Sequence, residues 1–87
     1  MSQQKIRGDF DSPVQVIVDS SGRPVVVTSS SQALERLQGW WPTRDGMMYR
    51  HARHACALAI EGAIPSKIAR KAFMRAAKEA GILFETK

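Results

Sequence analysis

The stretch LQGWWPTRDGMMYRHARHAC, Leu37 to Cys56, gathers two tryptophans, a proline, three arginines, two histidines and the only cysteine of the chain. Residues of these types can bind a metal, act as nucleophiles or grip a polyanion. For a metal site, His51 and His54 share one side of a helix. Cys56 lies about 140° from His51 and about 160° from His54 on a wheel turning 100° per residue, so it faces the core instead. Zinc wants four ligands in a tetrahedron, and the chain holds no second Cys or His cluster. No metal and no cofactor are therefore expected. For a nucleophile, Cys56 beside either histidine lacks a third, orienting group, and burial on an apolar face raises a thiol pKa. Ser29 to Ser31 serve better as helix caps, the carboxylates are scattered singly, and no glycine-rich phosphate loop is present. No catalytic residue is assigned, and the chain is not expected to be an enzyme.

Surface chemistry remains. The net charge of +5 is uneven: residues 1–43 hold four basic and four acidic side chains, and residues 44–87 hold nine and four. The basic half is the one to question about polyanions. Arg44, Arg50, Arg53, Lys67, Arg70, Lys71, Arg75 and Lys78 are the candidates for a nucleic-acid surface, with Trp40 available for stacking. Against that, the connection EGAIP is unlike that of a helix-turn-helix, and the helix after it lacks an Asn or Gln to read adenine. A second candidate surface is mixed and apolar: Trp40, Met47, His51 and Leu58, with His54 beside them. One helix in a two-layer domain should not need two apolar faces, so protein association, with an unknown partner or as a homodimer, is the leading expectation. Nucleic acid is the alternative.

These residues must be held by something. A chain of 87 residues makes one domain and buries only roughly 60% of its unfolded surface. A hydrophobic share of 44% is ordinary for a globular fold. The opening MSQQKIRGDFD has no apolar run, no stretch reaches the length of a membrane span, and a lone cysteine forms no internal disulfide. A cytoplasmic protein with neither membrane nor metal partner is the expectation.

Residues 1–12, with only Ile6 and Phe10 as anchors, are expected to form a flexible arm. Order is expected from Pro13. PVQVIV alternates β-branched residues and predicts a strand, DSSG a turn, and RPVVVT a returning strand whose Pro24 belongs at a start or an edge. Ser29 and Gln32 stand at capping-box spacing for a short first helix bearing Leu34 and Leu37. Gly39 and Pro42 end it. A second helix starts between Thr43 and Met47, with Asp45 as a plausible cap, and runs to about Ile60 before Gly62. Met48, Ala52, Ala55, Cys56 and Ala59 line its apolar arc. Pro65 suits the first turn of a third helix and Gly81 its left-handed end. Along that helix Ala69, Ala72, Phe73, Ala76, Ala77 and Ala80 oppose a basic stripe of Lys67, Lys71, Arg75 and Lys78.

In their order, SQALERL, WWPTRDGMMYRHARHAC and EGAIPSKIARKAFMRAAKEAGI resemble a family of small bacterial proteins called domain of unknown function 982. The resemblance spans about residues 13–82. It rests on Leu34, Leu37, Trp41, Pro42, Gly46, Tyr49, Arg50, Cys56, Gly62, Ala69, Arg70, Phe73, Ala77, Gly81 and Ile82. Two departures are Ile64, where a helix-capping residue is usual, and the doubled tryptophan, which makes Trp40 the extra aromatic. The resemblance implies a small α+β architecture with Trp41, Pro42, Gly46, Tyr49, Gly62, Phe73 and Gly81 as structural positions, and implies no activity.

The expected fold is therefore α+β: an N-terminal two-stranded antiparallel β-hairpin packed on three α-helices, in the order ββααα. The domain covers 13–83, with a tail at 84–87. The expected core holds Val16, Leu34, Leu37, Trp41, Tyr49, Ala52, Cys56, Ala59, Ala69, Phe73 and Ala76.

Overall fold

Two β-branched runs pair at the start of the chain, and helices cover one face of the pair. The computed structural model describes residues 8–18 and 21–84. Its elements are β1 (Asp9–Ile17), β2 (Pro24–Ser29), α1 (Ser30–Gln38), α2 (Met47–Glu61) and α3 (Ser66–Glu79), the ββααα order that the sequence pattern predicts. β1 and β2 are antiparallel, with Val14 opposite Val27, Gln15 opposite Val26 and Val16 opposite Val25. Val14, Val16 and Val27 point into the core, as the alternation requires.

The sheet has more on one side than a hairpin. Val16 bridges Leu83, Ile17 N–H donates to Ile82 O at 2.8 Å, and Phe84 N–H donates to Gln15 O at 2.9 Å. The C-terminal segment thus flanks β1, and β2 is left at the edge. Phe84, expected in the tail, is tied to the sheet by that bond. At the other end, Asp9 to Ser12 belong to β1 and not to a flexible arm, and Phe10 is buried. The register explains why alternation is silent there. Asp9 faces Ser29 and Val14 faces Val27, so β1 bulges between them. Side chains of α3 satisfy the bulged backbone: Ser66 Oγ donates to Asp9 O at 2.6 Å and Arg70 Nε to Ser12 O at 2.7 Å. Residues 1–7 of the expected arm lie outside the described residues.

Helix ends follow local chemistry. Ser29 Oγ accepts from Gln32 N–H, and Gln32 Oε1 accepts from Thr28 N–H at 2.9 Å, one residue earlier than a capping box would place it. Gly62 and Gly81 adopt φ of +83° and +75°. Both close Schellman motifs: Ala63 N–H donates to Leu58 O, and Ile82 N–H to Ala77 O. Pro65 precedes the first turn of α3 instead of sitting in it. The core is an alanine-rich seam. Ala52, Ala55, Cys56 and Ala59 of α2 are buried, as are Ala69, Ala72, Ala76 and Ala77 of α3, and Phe73 and Leu37 fill the remaining space. Leu34 is half-buried, because the inward row of α1 is Ser30, Ala33 and Leu37, which leaves it at the rim.

Candidate interaction surface

The region from Leu37 to Cys56 is built mainly as a corner between helices. Trp41 is 4% exposed and packs on Phe73 and Tyr49, with ring centroids 5.6 and 6.3 Å away. Tyr49 Oη donates to Leu37 O at 2.8 Å and locks α2 to the end of α1. The Arg44 guanidinium donates to Gln38 O and Gly39 O, capping the carbonyl end of α1. The start of α2 is capped from a distance. Gly46, not Asp45, is the N-cap, and it has no side chain to give. Instead Glu79 of α3 accepts from Met48 N–H and Tyr49 N–H, each at 3.2 Å. A carboxylate there satisfies two orphan amides and meets the positive end of the helix dipole. A Cβ at Gly46 would overlap that carboxylate, which would have to swing off the two amides to make room, whereas the backbone angles at Gly46 suit any residue.

The residues with reactive side chains do not converge. Cys56 is fully buried, and desolvation pushes its thiol up to about 12. At neutral pH it is a protonated core side chain. His51 and His54 are exposed on α2. Among the described residues no three His, Cys, Asp or Glu side chains group as metal ligands would.

The cations assigned to a nucleic-acid surface fall into four groups, the first being Arg44 on the end of α1. Arg50 and Arg53 are exposed beside α1, sharing a groove with Leu34, Gln38, His54 and Ala57, and the Arg53 guanidinium lies 5.6 Å from the Tyr49 ring centre. Arg70 is half-buried and bound to β1, so it is a strut. Lys67, Lys71, Arg75 and Lys78 are all exposed on the side of α3 away from its buried alanines. Glu79, the only acid of α3, is engaged at the start of α2.

Of the apolar candidates, Met47 is 74% and Trp40 is 52% exposed, and Leu58 is half-buried. α1 packs on the Arg50, Arg53 and Ala57 side of α2, away from the Met47, His51 and Leu58 stripe. Trp40 lines an open groove with Val18, Glu35, Arg36 and Gly39. Sequence pattern missed three further exposed apolar residues: Val26 of β2 at 48%, Ile68 of α3 and Phe84. Val26 stands in a run of three valines that shows no preferred face until the register is known.

A family model described as "Protein of unknown function (DUF982)" matches residues 12–84. The chain belongs to this family. No curated protein matches the chain. Its fold is similar to the NMR structure of the Agrobacterium tumefaciens protein Atu1219, a structural-genomics target, at 28% identity and a TM-score of 0.78, covering all of this chain and 89% of that one. Against the family motif the geometry is informative. Trp41, Tyr49 and Phe73 form the aromatic centre, Gly46 makes room for the Glu79 cap, and Gly62 and Gly81 end helices. Pro42 is exposed in the turn after α1. Arg50 is the motif residue exposed in the groove beside α1.

Among the described residues no helix is long and apolar enough to cross a membrane.

Proposed function

We propose that this domain is a non-enzymatic, cytoplasmic protein-association module whose working surface is the open side of the hairpin. The observation that carries this reading is β2, an edge strand of sequence PVVVTS without one charged side chain, with Val26 half exposed at its middle. Edge strands usually carry charges, bulges or a covering element to prevent pairing with other chains. β2 has Pro24 at its first position and the Gln32 side chain on Thr28 N–H near its end. Trp40 and Met47 add exposed apolar area of the kind that anchors interfaces. A free, buried thiol suits a reducing compartment. The test is recovery of partners by the purified domain from native lysate, with and without nuclease, alongside sedimentation of the domain alone. Stoichiometric protein recovery that ignores nuclease, or self-association, supports the reading. A strictly monomeric domain that retains no protein overturns it.

A second reading, nucleic-acid binding, is favoured by the stripe of Lys67, Lys71, Arg75 and Lys78 on α3. With no Asn or Gln on α3 to read adenine, binding would rest mainly on phosphates. Four such contacts on duplex DNA predict a slope of about −3 to −4 in log K against log salt. The double change Lys71→Glu and Arg75→Glu should remove it, and absence of binding at low salt would sink this reading.

A further inference from the structure

The backbone of β2 specifies more than an open edge. Gln15 O accepts from Phe84 N–H and Ile17 N–H donates to Ile82 O, so both residues turn their backbone groups toward the C-terminal segment. In an antiparallel ladder the N–H and C=O of one residue point the same way, and directly opposed residues either bond to each other or both point apart. Val26 and Pro24, opposite Gln15 and Ile17, therefore point their groups away from β1, and so does Thr28 by the same alternation. The outer edge thus offers three carbonyls and few donors. Pro24 has no N–H, and Thr28 N–H is already given to Gln32 Oε1 at 2.9 Å. Val26 N–H has no acceptor among the described residues.

We propose that the occupant of this edge is a second copy of the chain, joined β2 to β2 in antiparallel register centred on Val26. The proposal rests on the association reading above and names its partner. The pattern of groups is self-complementary about a two-fold axis at Val26. Each Val26 N–H meets the Val26 C=O of the other copy, and Pro24, which can only accept, lies opposite Thr28, which can donate. No charges meet, since Arg23 falls opposite Ser29. On the outward face the two Val26 side chains adjoin and extend the row of Phe84, Gln15 and Val26 across both copies. Gln32 is the competitor in this scheme: while its side chain holds Thr28 N–H, the pairing has two of its four hydrogen bonds. A six-residue strand gives a contact only about 20 Å long, less than a stable interface needs, so the dimer is weak and forms at high micromolar concentration or above.

The experiment is sedimentation of the full chain over a wide concentration range, with amide exchange at Val26 and Thr28, for the wild type, Val26→Lys and Gln32→Ala. Circular dichroism checks that each variant is folded; Val26 is exposed and does not bond to β1, so the fold should survive. A monomer–dimer equilibrium is expected. Val26→Lys, which places two like charges at the axis, should raise the dissociation constant about tenfold or more. Gln32→Ala, which frees Thr28 N–H, should lower it several-fold, and both amides should gain protection as concentration rises. Added salt should strengthen the dimer, because each copy carries +5, whereas salt weakens polyanion binding. A monomer at every concentration overturns the self-pairing and leaves a different partner to the lysate experiment. A dimer indifferent to both substitutions also overturns it, while leaving association itself standing through another surface.

Discussion

The contact between Glu79 and the start of α2 makes a quantitative prediction, because one partner of the pair is a glycine. Gly46 has φ of −68° and ψ of 147°, angles open to any residue, so Gly46→Ala meets no backbone barrier. What it meets is the Glu79 carboxylate, which must leave Met48 N–H and Tyr49 N–H to make room. Loss of an N-terminal cap costs about 1 kcal/mol, with a few tenths more for a negative charge withdrawn from an exposed helix end. Alanine is also a poorer N-cap than glycine, which adds about 0.5 kcal/mol. Gly46→Ala should therefore destabilise by about 1.5 to 2 kcal/mol, and Glu79→Ala by about 1 kcal/mol. In a domain of this size each kcal/mol lowers Tm by about 4–8 °C. The decisive number is the coupling. Once Glu79→Ala has removed the carboxylate, Gly46→Ala has nothing left to displace and should cost only its intrinsic 0.5 kcal/mol or so, a coupling of about 1 kcal/mol. Glu79→Gln keeps an acceptor without the charge and should fall between wild type and Glu79→Ala. Urea denaturation followed by tryptophan fluorescence measures all four corners of the cycle. Additivity within about 0.3 kcal/mol would refute the reasoning, since it would mean that the glycine is not there for the carboxylate.

Tyr49→Phe leaves the buried Leu37 carbonyl without its donor and should cost about 1–2 kcal/mol in the same assay, whereas Arg53→Ala, removing an exposed guanidinium near the same ring, should cost under about 1 kcal/mol. Cys56 predicts a pH dependence: its folded pKa of about 12 lies above the ordinary 9.0, so the stability that it contributes is complete below pH 9 and is lost as pH rises through 12. Wild type should lose about 1 kcal/mol more than Cys56→Ala between pH 8 and pH 10, and at pH 8 a thiol reagent should label Cys56 only at the rate at which the domain opens; rapid labelling of the folded protein would contradict this burial.

What could be read from the sequence was whatever local chemistry decides. Valine alternation gave the hairpin, and the glycines at 62 and 81 and the serine at 29 marked helix ends, because each acts within four or five residues of itself. The alanine faces of α2 and α3 were legible for the same reason. Features made between distant residues were not. Asp9 to Ser12 look like an arm since they hold one apolar residue between acids, and the groups that hold their bulged backbone, Ser29 of β2 and Ser66 and Arg70 of α3, lie far along the chain. Asp45 is the obvious local cap, and nothing near it announces Glu79. The candidate surface divides likewise. The exposure of Met47 and the α3 cations follows from helical spacing and that of Trp40 from its place as the extra tryptophan beside Trp41, while the conversion of Arg70 into a strut and the outward turn of Val26 depend on pairings that no periodicity contains.

The division between scaffold and surface has a consequence for where function can reside. Most of the motif side chains that link this chain to its family are consumed by the fold: Trp41, Tyr49 and Phe73 by each other, Gly46 by Glu79, Gly62 and Gly81 by helix termination, Arg70 by β1. Residues so engaged hold the architecture together. On the association reading proposed above, a partner would be met by side chains and backbone outside that set. The exposed ones include the β2 edge at Val26, Trp40 after α1, Met47 at the start of α2 and four cations on α3. The first three are apolar or backbone groups whose contacts gain from salt, and the last is a charge array whose contacts lose from it. Ionic strength is therefore the variable that separates the candidate surfaces within one unmodified protein, before any substitution is made.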